Sequence, residues 1–483
     1  MKPDFLKLPG NIVAAAGKKT TITLTPVTET ALDAWLKKKP ASLRQKIEHT
    51  GFKAGPGSIF VVYDDKGKIE SVLCGYNVGT PHNDAAAIAE SLSRGLSKKT
   101  LATLVFKLDE TGLRGEDLNR FCLGWILAGY KFDRYKKMDP GMATLIWPKG
   151  ADRDSVRAHA EATFLIRNLI NIPANDLGPD EFEKAARAVA AAEGLSVKVI
   201  KDKDLLKQNF PMIYNVGKGS PRRPRLIEMS WGNPKHPKVT LIGKGVCFDT
   251  GGLDLKPGTA MYTMKKDMCG ASHAIALALL IIRHKIPVHV RVLTPVVENS
   301  ISGESFRPSD VIPSRKGISV EVSDTDAEGR LILGDALAYG SEGKPAFMVN
   351  FATLTGGVAL GPDIPAMFSN NMKVAFDIRD ISESVNDPLW PLPLPPSYRR
   401  HMASDIADTC TVGNARGGTI HAALFLENFV DPAVDWVHID HFGWEPGGRP
   451  GRSRGGSEMG LRAIFAYIDK RFGKTKVKTK KKL

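Results

Sequence analysis

The feature that most constrains this chain is a regular alternation of short β-branched apolar runs with helical ones. In the second half "KVTLIGKGV", "IPVHVRVLTPVVEN", "AFMVNFATL" and "DWVHID" read as buried strands, and "ASHAIALALLIIRHK" and "GRLILGDALAYGSE" read as helices between them. Elements in that order pack as a sheet covered by helices on both faces, with ligands gathering where strands end and loops begin. The first half alternates in the same way. "TITLTPV", "SIFVVYD" and "TLVFKLD" are strand candidates, while "TETALDAWLKKKPASLRQKI" and "GEDLNRFCLGWILAGY" carry apolar residues at helical spacing. The expected class is therefore α/β in both halves. At 483 residues the chain exceeds one core. Pro, Gly and charge in "WPKGADRD" mark a boundary. The expected division is an N-terminal α/β domain at 1–150, a connecting helix at 151–172 stopped near Pro173, a larger domain at 173–469, and a disordered basic tail at 470–483.

The net charge of +15 raises the question of a polyanionic partner. Eight of its lysines and arginines fall in the last fourteen residues, in a Lys/Thr tail with no aromatics interleaved among the lysines from 474 onward to stack on bases. The second basic cluster, "SPRRPRL", lies in a Pro-rich loop. Specific nucleic-acid readout is not expected. Five cysteines (Cys74, Cys122, Cys247, Cys269 and Cys410) form neither a disulfide framework nor a CxxC clip, which fits a reducing compartment. The N-terminal stretch lacks the continuous apolar core of a signal peptide, and the longest apolar run, Ala274 to Ile282, is about half a membrane span. A cytoplasmic protein without a membrane partner is the expectation.

Chemistry concentrates between residues 244 and 330. In "VTLIGKGVCFDTGG" an apolar strand runs into Lys244 and Asp249, and "LDLKPG" adds Asp254 and Lys256. In "MKKDMCGASHA" Asp267 precedes a buried helix, and in "SDTDAEGRL" Asp324, Asp326 and Glu328 stand between a strand and a helix that begins near Arg330. Carboxylates at strand ends beside glycines suit hard divalent cations. Several acids from separate strands are too many for one ion and point to two metals sharing carboxylates. Such a pair polarises a carbonyl and activates a water. A single calcium ion is the competing reading of the third segment. Asp324, Asp326, Glu328, Gly329 and Asp335 match loop positions one, three, five, six and twelve, but a strand enters where a helix is required. Each single aspartate is by default a cap or turn residue, and "HIDH" (438–441), His421 and His273 are by default structural. The clustering is what argues for more.

"DTDAEGRL", "GKGVCFDTGGLDLKP", "MKKDMCGA" and "FATLTGG" together resemble the leucyl aminopeptidase family, the two-metal cytosol aminopeptidases designated M17. The likeness runs from "RNLINIPANDLGP" to "HIDHFGWEP". It implies a smaller N-terminal α/β domain, and a larger catalytic domain with a central mixed sheet covered by helices. It also implies two divalent metals, Mn²⁺ or Zn²⁺ first and Mg²⁺ or Co²⁺ as alternatives. The tighter would be held by Lys244, Asp249, Asp267 and Glu328, and the more exchangeable by Asp249, Asp326 and Glu328. Lys244 would then be a neutral amine with a strongly lowered pKa. Lys256 would stabilise the oxyanion, and Arg330 would hold a bicarbonate that accepts a proton from the bridging water. Met264 and Met459 would floor an apolar pocket for the first side chain, walled by Thr353, Leu354 and Gly356. The implied substrates are peptides with a Leu-like first residue and a free α-amine, and the implied assembly is a homo-hexamer.

Two departures stand out. Asp324 replaces the asparagine with which the signature usually begins, and Thr419 and His421 differ from the usual "GGAIT" pattern. A noncatalytic protein on the same fold, binding polyanions through its basic tail, is the rival reading.

Overall fold

The computed structural model describes residues 4–138, 141–356 and 360–473. The part of the expected tail at 474–483 lies outside them. Two compact units divide the chain. One comprises Leu6–Phe164 with Glu445–Gly455, and the other Leu165–Trp444 with the chain from Gly456 onward and the first few residues. Helix Arg153–Asn171, ending two residues before Pro173, contributes to both, because the division falls at Phe164 and Leu165.

In the first unit a sheet, of six strands among the described residues, has the order Ile12–Val13, Leu145–Ile146, Leu104–Leu108, Thr20–Val27, Ile69–Gly75, Ile59–Tyr63, with the last strand antiparallel to its neighbour. Alternate residues of Thr20–Val27 face inward, so Ile22 and Leu24 join Val72, Phe106, Phe121 and Trp125 in one core. Helices Pro81–Gly95 and Gly115–Ala128 pack together. The stretch from Thr28 to Ile47 is not continuous. Pro40 has no N–H to give and no helical ψ, so it separates Leu32–Leu36 from Ala41–Thr50.

The second unit is built on a mixed sheet, which among the described residues has nine strands. At its centre Trp436–Asp440, Phe347–Ala352, Lys238–Gly243 and His289–Asn299 run parallel in that spatial order. On one side Ala366–Ser369 adds antiparallel, followed by the short parallel strand Trp390–Pro391, and Arg225–Trp231 followed by Ser196–Lys201 closes the other. Helices cover the parallel strands, which explains their unbroken apolar character. Cys269–Arg283 is buried along nearly its whole length, and Glu328–Glu342 is almost as enclosed. This is the α/β arrangement expected, with a mixed sheet in the larger part. No helix among the described residues is long and apolar enough to cross a membrane.

Asp335 settles the calcium reading. It lies fully buried on helix Glu328–Glu342 and accepts hydrogen bonds from the backbone N–H groups of Met212 (2.8 Å), Ile213 (3.2 Å) and Arg315 (2.8 Å). The first two begin helix Pro211–Gly217, so this carboxylate caps a neighbouring element instead of closing an ion loop. Removing it strands buried donors. Asp335→Ala is expected to lower stability by about 2–3 kcal/mol, read as a lower urea midpoint at unchanged m-value.

Candidate active site

The three acid-bearing segments meet where the parallel strands end. Strand Lys238–Gly243 stops at Lys244, whose N–H donates to the Phe351 carbonyl (3.0 Å) of the neighbouring strand. The chain then continues as Gly245–Asp249 beside the far end of His289–Asn299, which delivers Asp249. Lys244 itself turns into the cluster across Gly329. A Cβ at Gly329 would come within 2.6 Å of Nζ, so no other residue leaves that path open. Asp267 stands at the end of the 3₁₀ turn Met264–Met268, immediately before helix Cys269–Arg283. Asp326 and Glu328 lie in and just after the turn Thr325–Ala327. The Thr325 hydroxyl donates to the Gly251 carbonyl (2.6 Å) and accepts from the Asp254 N–H (2.9 Å), while Asp254 Oδ2 accepts from the Thr325 N–H (2.7 Å). That stitch fixes the loop carrying Lys256 against the acidic segment.

Lys244 Nζ is 2.7 Å from Asp267 Oδ2 and 2.9 Å from Glu328 Oε1. Lys256 Nζ is 2.9 Å from Asp249 Oδ2 and also pairs with Asp326. Asp249, Asp267 and Glu328 are buried, and Asp326 is half-buried. Burial, with Asp249 adding repulsion, raises Glu328 well above the ordinary carboxylate range and lifts Asp326 to about 6. Burial also raises Asp267, against the pull of Lys244. The lysines move the other way from a neutral amine. Burial alone would lower Lys244, but Asp267, Glu328 and Asp249 together outweigh it and hold its pKa up. The lowered pKa expected for Lys244 therefore does not follow from the protein's own groups. Against these acids its ammonium is the counter-charge, and a neutral amine requires other cations in its place.

The donor set fits such cations. One oxygen each from Asp249, Asp326 and Glu328 lies within 4.8 Å of the others. Both oxygens of Glu328, Oδ1 of Asp326 and Oδ2 of Asp267 are shut off from water without a hydrogen bond of good geometry. Oxygens left in that condition are costly unless a positive charge faces them. Asp249 is oriented for the purpose, because its Oδ1 accepts from Asn299 Nδ2 (2.9 Å) and the Gly251 N–H (2.8 Å). Asp267 Oδ1 likewise accepts from the Thr353 hydroxyl (2.6 Å).

Arg330 follows on the same helix as Glu328. It is buried, donates through Nη1 to the Thr411 carbonyl, and leaves Nε without a partner. Thr353 and Leu354 are buried at the end of strand Phe347–Ala352, and Gly356 is exposed. Asp440 pins that turn by accepting from the Leu354 N–H (2.9 Å) and the Thr355 hydroxyl (2.6 Å). Met264 is half-buried at the start of the turn bearing Asp267, whereas Met459 is buried and its N–H donates to His273 Nε2 (3.0 Å). Asn299, Asp440 and Thr411 escaped the reading of the sequence. The first two sit at strand ends, which is the signal that would have found them. A further trio, Cys269, His273 and His441, could be mistaken for a second metal site. His273 is already committed, since Nδ1 bonds the Cys269 carbonyl (2.8 Å) while Nε2 accepts from Met459. The basic loop at 220–226 is also spent internally. Arg225 bonds Asp180 and Glu183 at 2.6 Å each, and Arg222 bonds the carbonyl of Asn175 (2.9 Å) and Glu298 (3.2 Å).

Comparison with known proteins points the same way. Residues 164–465 match the catalytic domain of the cytosol aminopeptidase family, and residues 22–148 match the M17 aminopeptidase N-terminal domain. A probable cytosol aminopeptidase of Chlamydia abortus is 36% identical over 446 residues, covering 87% of this chain and 89% of that protein. One from Brucella melitensis is 39% identical over 356 residues, covering 70% and 73%. Among solved structures, the cytosol aminopeptidase from Coxiella burnetii superposes with a TM-score of 0.89 at 39% identity, covering 95% of this chain and 99% of that one. The bottromycin maturation enzyme BotP in complex with Mn gives 0.83 at 29% identity, covering 95% and 100%.

If these buried carboxylates are cation ligands, Mn²⁺ at a hundredfold excess over its Kd should stabilise the fold by about 2.7 kcal/mol. The expected result is an upward shift in melting temperature that EDTA reverses and that Glu328→Ala abolishes.

Proposed function

The chain belongs to the cytosol aminopeptidase (M17) family and is a metal-dependent aminopeptidase, and from that premise we propose a two-metal exopeptidase that removes Leu-like residues from peptides with a free N-terminus. The observation that carries this reading is the buried convergence of Asp249, Asp267, Asp326 and Glu328 on Lys244 and Lys256. Lys244, Asp249, Asp267 and Glu328 would hold one cation, and Asp249, Asp326 and Glu328 the other. Two such cations, when bound, supply Lewis acidity toward a peptide carbonyl and a nucleophilic water at neutral pH. Manganese is favoured by its presence in the similar BotP, with zinc next and magnesium or cobalt as alternatives.

The protein's own groups divide the remaining work. Lys256 is held up in pKa by Asp249 and Glu328 against the effect of burial, so it remains an ammonium. It lies less deeply than Lys244 and offers its charge to the oxyanion that forms on the scissile carbonyl. Arg330 keeps its Nε without a hydrogen-bond partner and would hold bicarbonate as the proton acceptor, since the neighbouring carboxylates are committed as ligands. Thr353, Leu354 and Gly356, with Met264 and Met459, would form the pocket for the first side chain, where methionines adapt to several apolar shapes. The half-buried Asp326 marks the end of the cluster that a free α-amine would meet. We assign the catalytic domain to 173–469, and a hexameric, cytoplasmic enzyme accords with the family resemblance.

Metal-stripped protein should release leucine from an unblocked leucyl anilide after Mn²⁺ is added, and should leave the N-acetylated anilide intact. Lys256→Ala should lower kcat by about 10²–10³ with KM little changed. A folded, metal-loaded protein that cleaves neither substrate would count against this reading and for the polyanion-binding one.

A further inference from the structure

Arg330 depends on a strap that comes from far along the chain. Its guanidinium is buried and donates to the carbonyl of Thr411, the first residue of the segment 411–414. One side of that segment is laced to the acidic turn. The N–H groups of Ser323 and Asp324 donate to Thr411 Oγ1 at 2.9 and 3.3 Å, and the Val412 N–H donates to Ser323 Oγ at 3.0 Å. The other side rests on two histidines. The Asn414 N–H donates to the His401 carbonyl (3.0 Å), and Gly413 lies directly on the His421 ring. A Cβ at Gly413 would come within 2.7 Å of His421 Nδ1, so the contact has no slack.

His421 is 1% exposed on helix Gly418–Glu427, and its Nε2 shares a 2.9 Å hydrogen bond with Nδ1 of the half-buried His401. The ring of Tyr398 lies 5.1 Å from one imidazole and 5.7 Å from the other. Nδ1 of His421 has no partner. An aliphatic residue would fill this space without leaving a buried nitrogen unsatisfied. What the imidazole adds is the directed bond to His401, which fixes the rotation of the ring beneath the strap.

We propose that His401 and His421 are a positioning pair for Arg330, an inference that rests on the catalytic reading of Arg330 given above. Their hydrogen bond holds the ring, the ring holds Gly413, and the Thr411 carbonyl two residues away aims the guanidinium. Neither histidine touches the reacting atoms. Burial first, with His401 and Arg330 acting in the same direction, keeps His421 below the usual imidazole range, so the ring beneath Arg330 is neutral near pH 7.

A double-mutant cycle on the full-length, Mn²⁺-loaded protein separates positioning from plain structure. His421→Phe keeps the bulk and loses the bond to His401. It is expected to lower kcat on the leucyl anilide by about 10- to 100-fold, with KM within about twofold. In an Arg330→Ala background the same substitution should cause no further loss. His421→Gln, which can still bond His401, should recover most of the lost kcat. Wild-type kcat in His421→Phe, or a loss that multiplies in full on top of Arg330→Ala, overturns the pair's role while leaving that of Arg330 intact. Wild-type kcat in Arg330→Ala overturns the reading of Arg330 and the positioning role with it. If His421→Phe does not fold, His401→Phe at its half-buried position carries the same cycle with the same outcomes.

Discussion

Everything in the larger unit answers to one constraint: carboxylates that repel one another must share a dry pocket. Asp249, Asp267 and Glu328 are nearly or fully inaccessible, and burial together with their mutual repulsion pushes Asp267 and Glu328 up in pKa. Such groups are tolerated only with opposite charge close by and a scaffold that prevents them from separating. Lys244 and Lys256, at 2.7–2.9 Å from three of the acids, supply the charge. The scaffold is the parallel centre of the sheet. Its strands end together, so segments from 249, 267 and 326–328 converge there without the chain crossing itself.

The same constraint explains local choices that propensity alone would not. A lysine between two strands would normally turn its ammonium to water, yet Lys244 is anchored by its own N–H to Phe351 and lies across Gly329 into the acids. Helix Glu328–Glu342 begins with the charge-bearing residues and continues apolar on nearly every side, so it serves as a rigid mount with both Glu328 and Arg330 in its first turn. A carboxylate at a helix N-terminus is favoured by the helix dipole, which offsets part of the cost of burying Glu328.

What was legible in the sequence was whatever a short window contains. Strands such as "AFMVNFATL" are apolar because both faces are covered, and acids placed just after such strands announce where ligands gather. Pattern therefore singles out Lys244, Asp249, Asp267, Asp326 and Glu328, and these are residues that the fold brings together. The partners that orient them were hidden for a physical reason. Asn299 reaches Asp249 from 50 residues away, and Asp440 reaches Leu354 from 86, so their functions exist only in three dimensions. The segment Glu445–Gly455 joins the first unit, with the Gly451 N–H donating to Glu90 across 361 positions. No local composition announces that return. Pro40 was the opposite case, a visible residue whose breaking of a helical pattern needed only its missing N–H.

Asp324 shows how the two kinds of information combine. By the family pattern its position belongs to asparagine, and the carboxylate raises the question of an added charge beside an already acidic site. Its Oδ1 accepts the Asp326 N–H at 2.8 Å and caps the turn Thr325–Ala327, a task that the carbonyl oxygen of asparagine performs equally well. The geometry of Asp326 and Glu328 is thus preserved, and what changes is the field. Asp324 is half-buried, and its charge acts on the buried guanidinium of Arg330, whose pKa is lowered by burial and supported by Glu328, Asp440 and Asp324. Arg330 stays cationic in any case, and the added carboxylate supports its buried charge after Glu328 and Asp440, so the substitution acts through the field while the turn keeps its hydrogen bond.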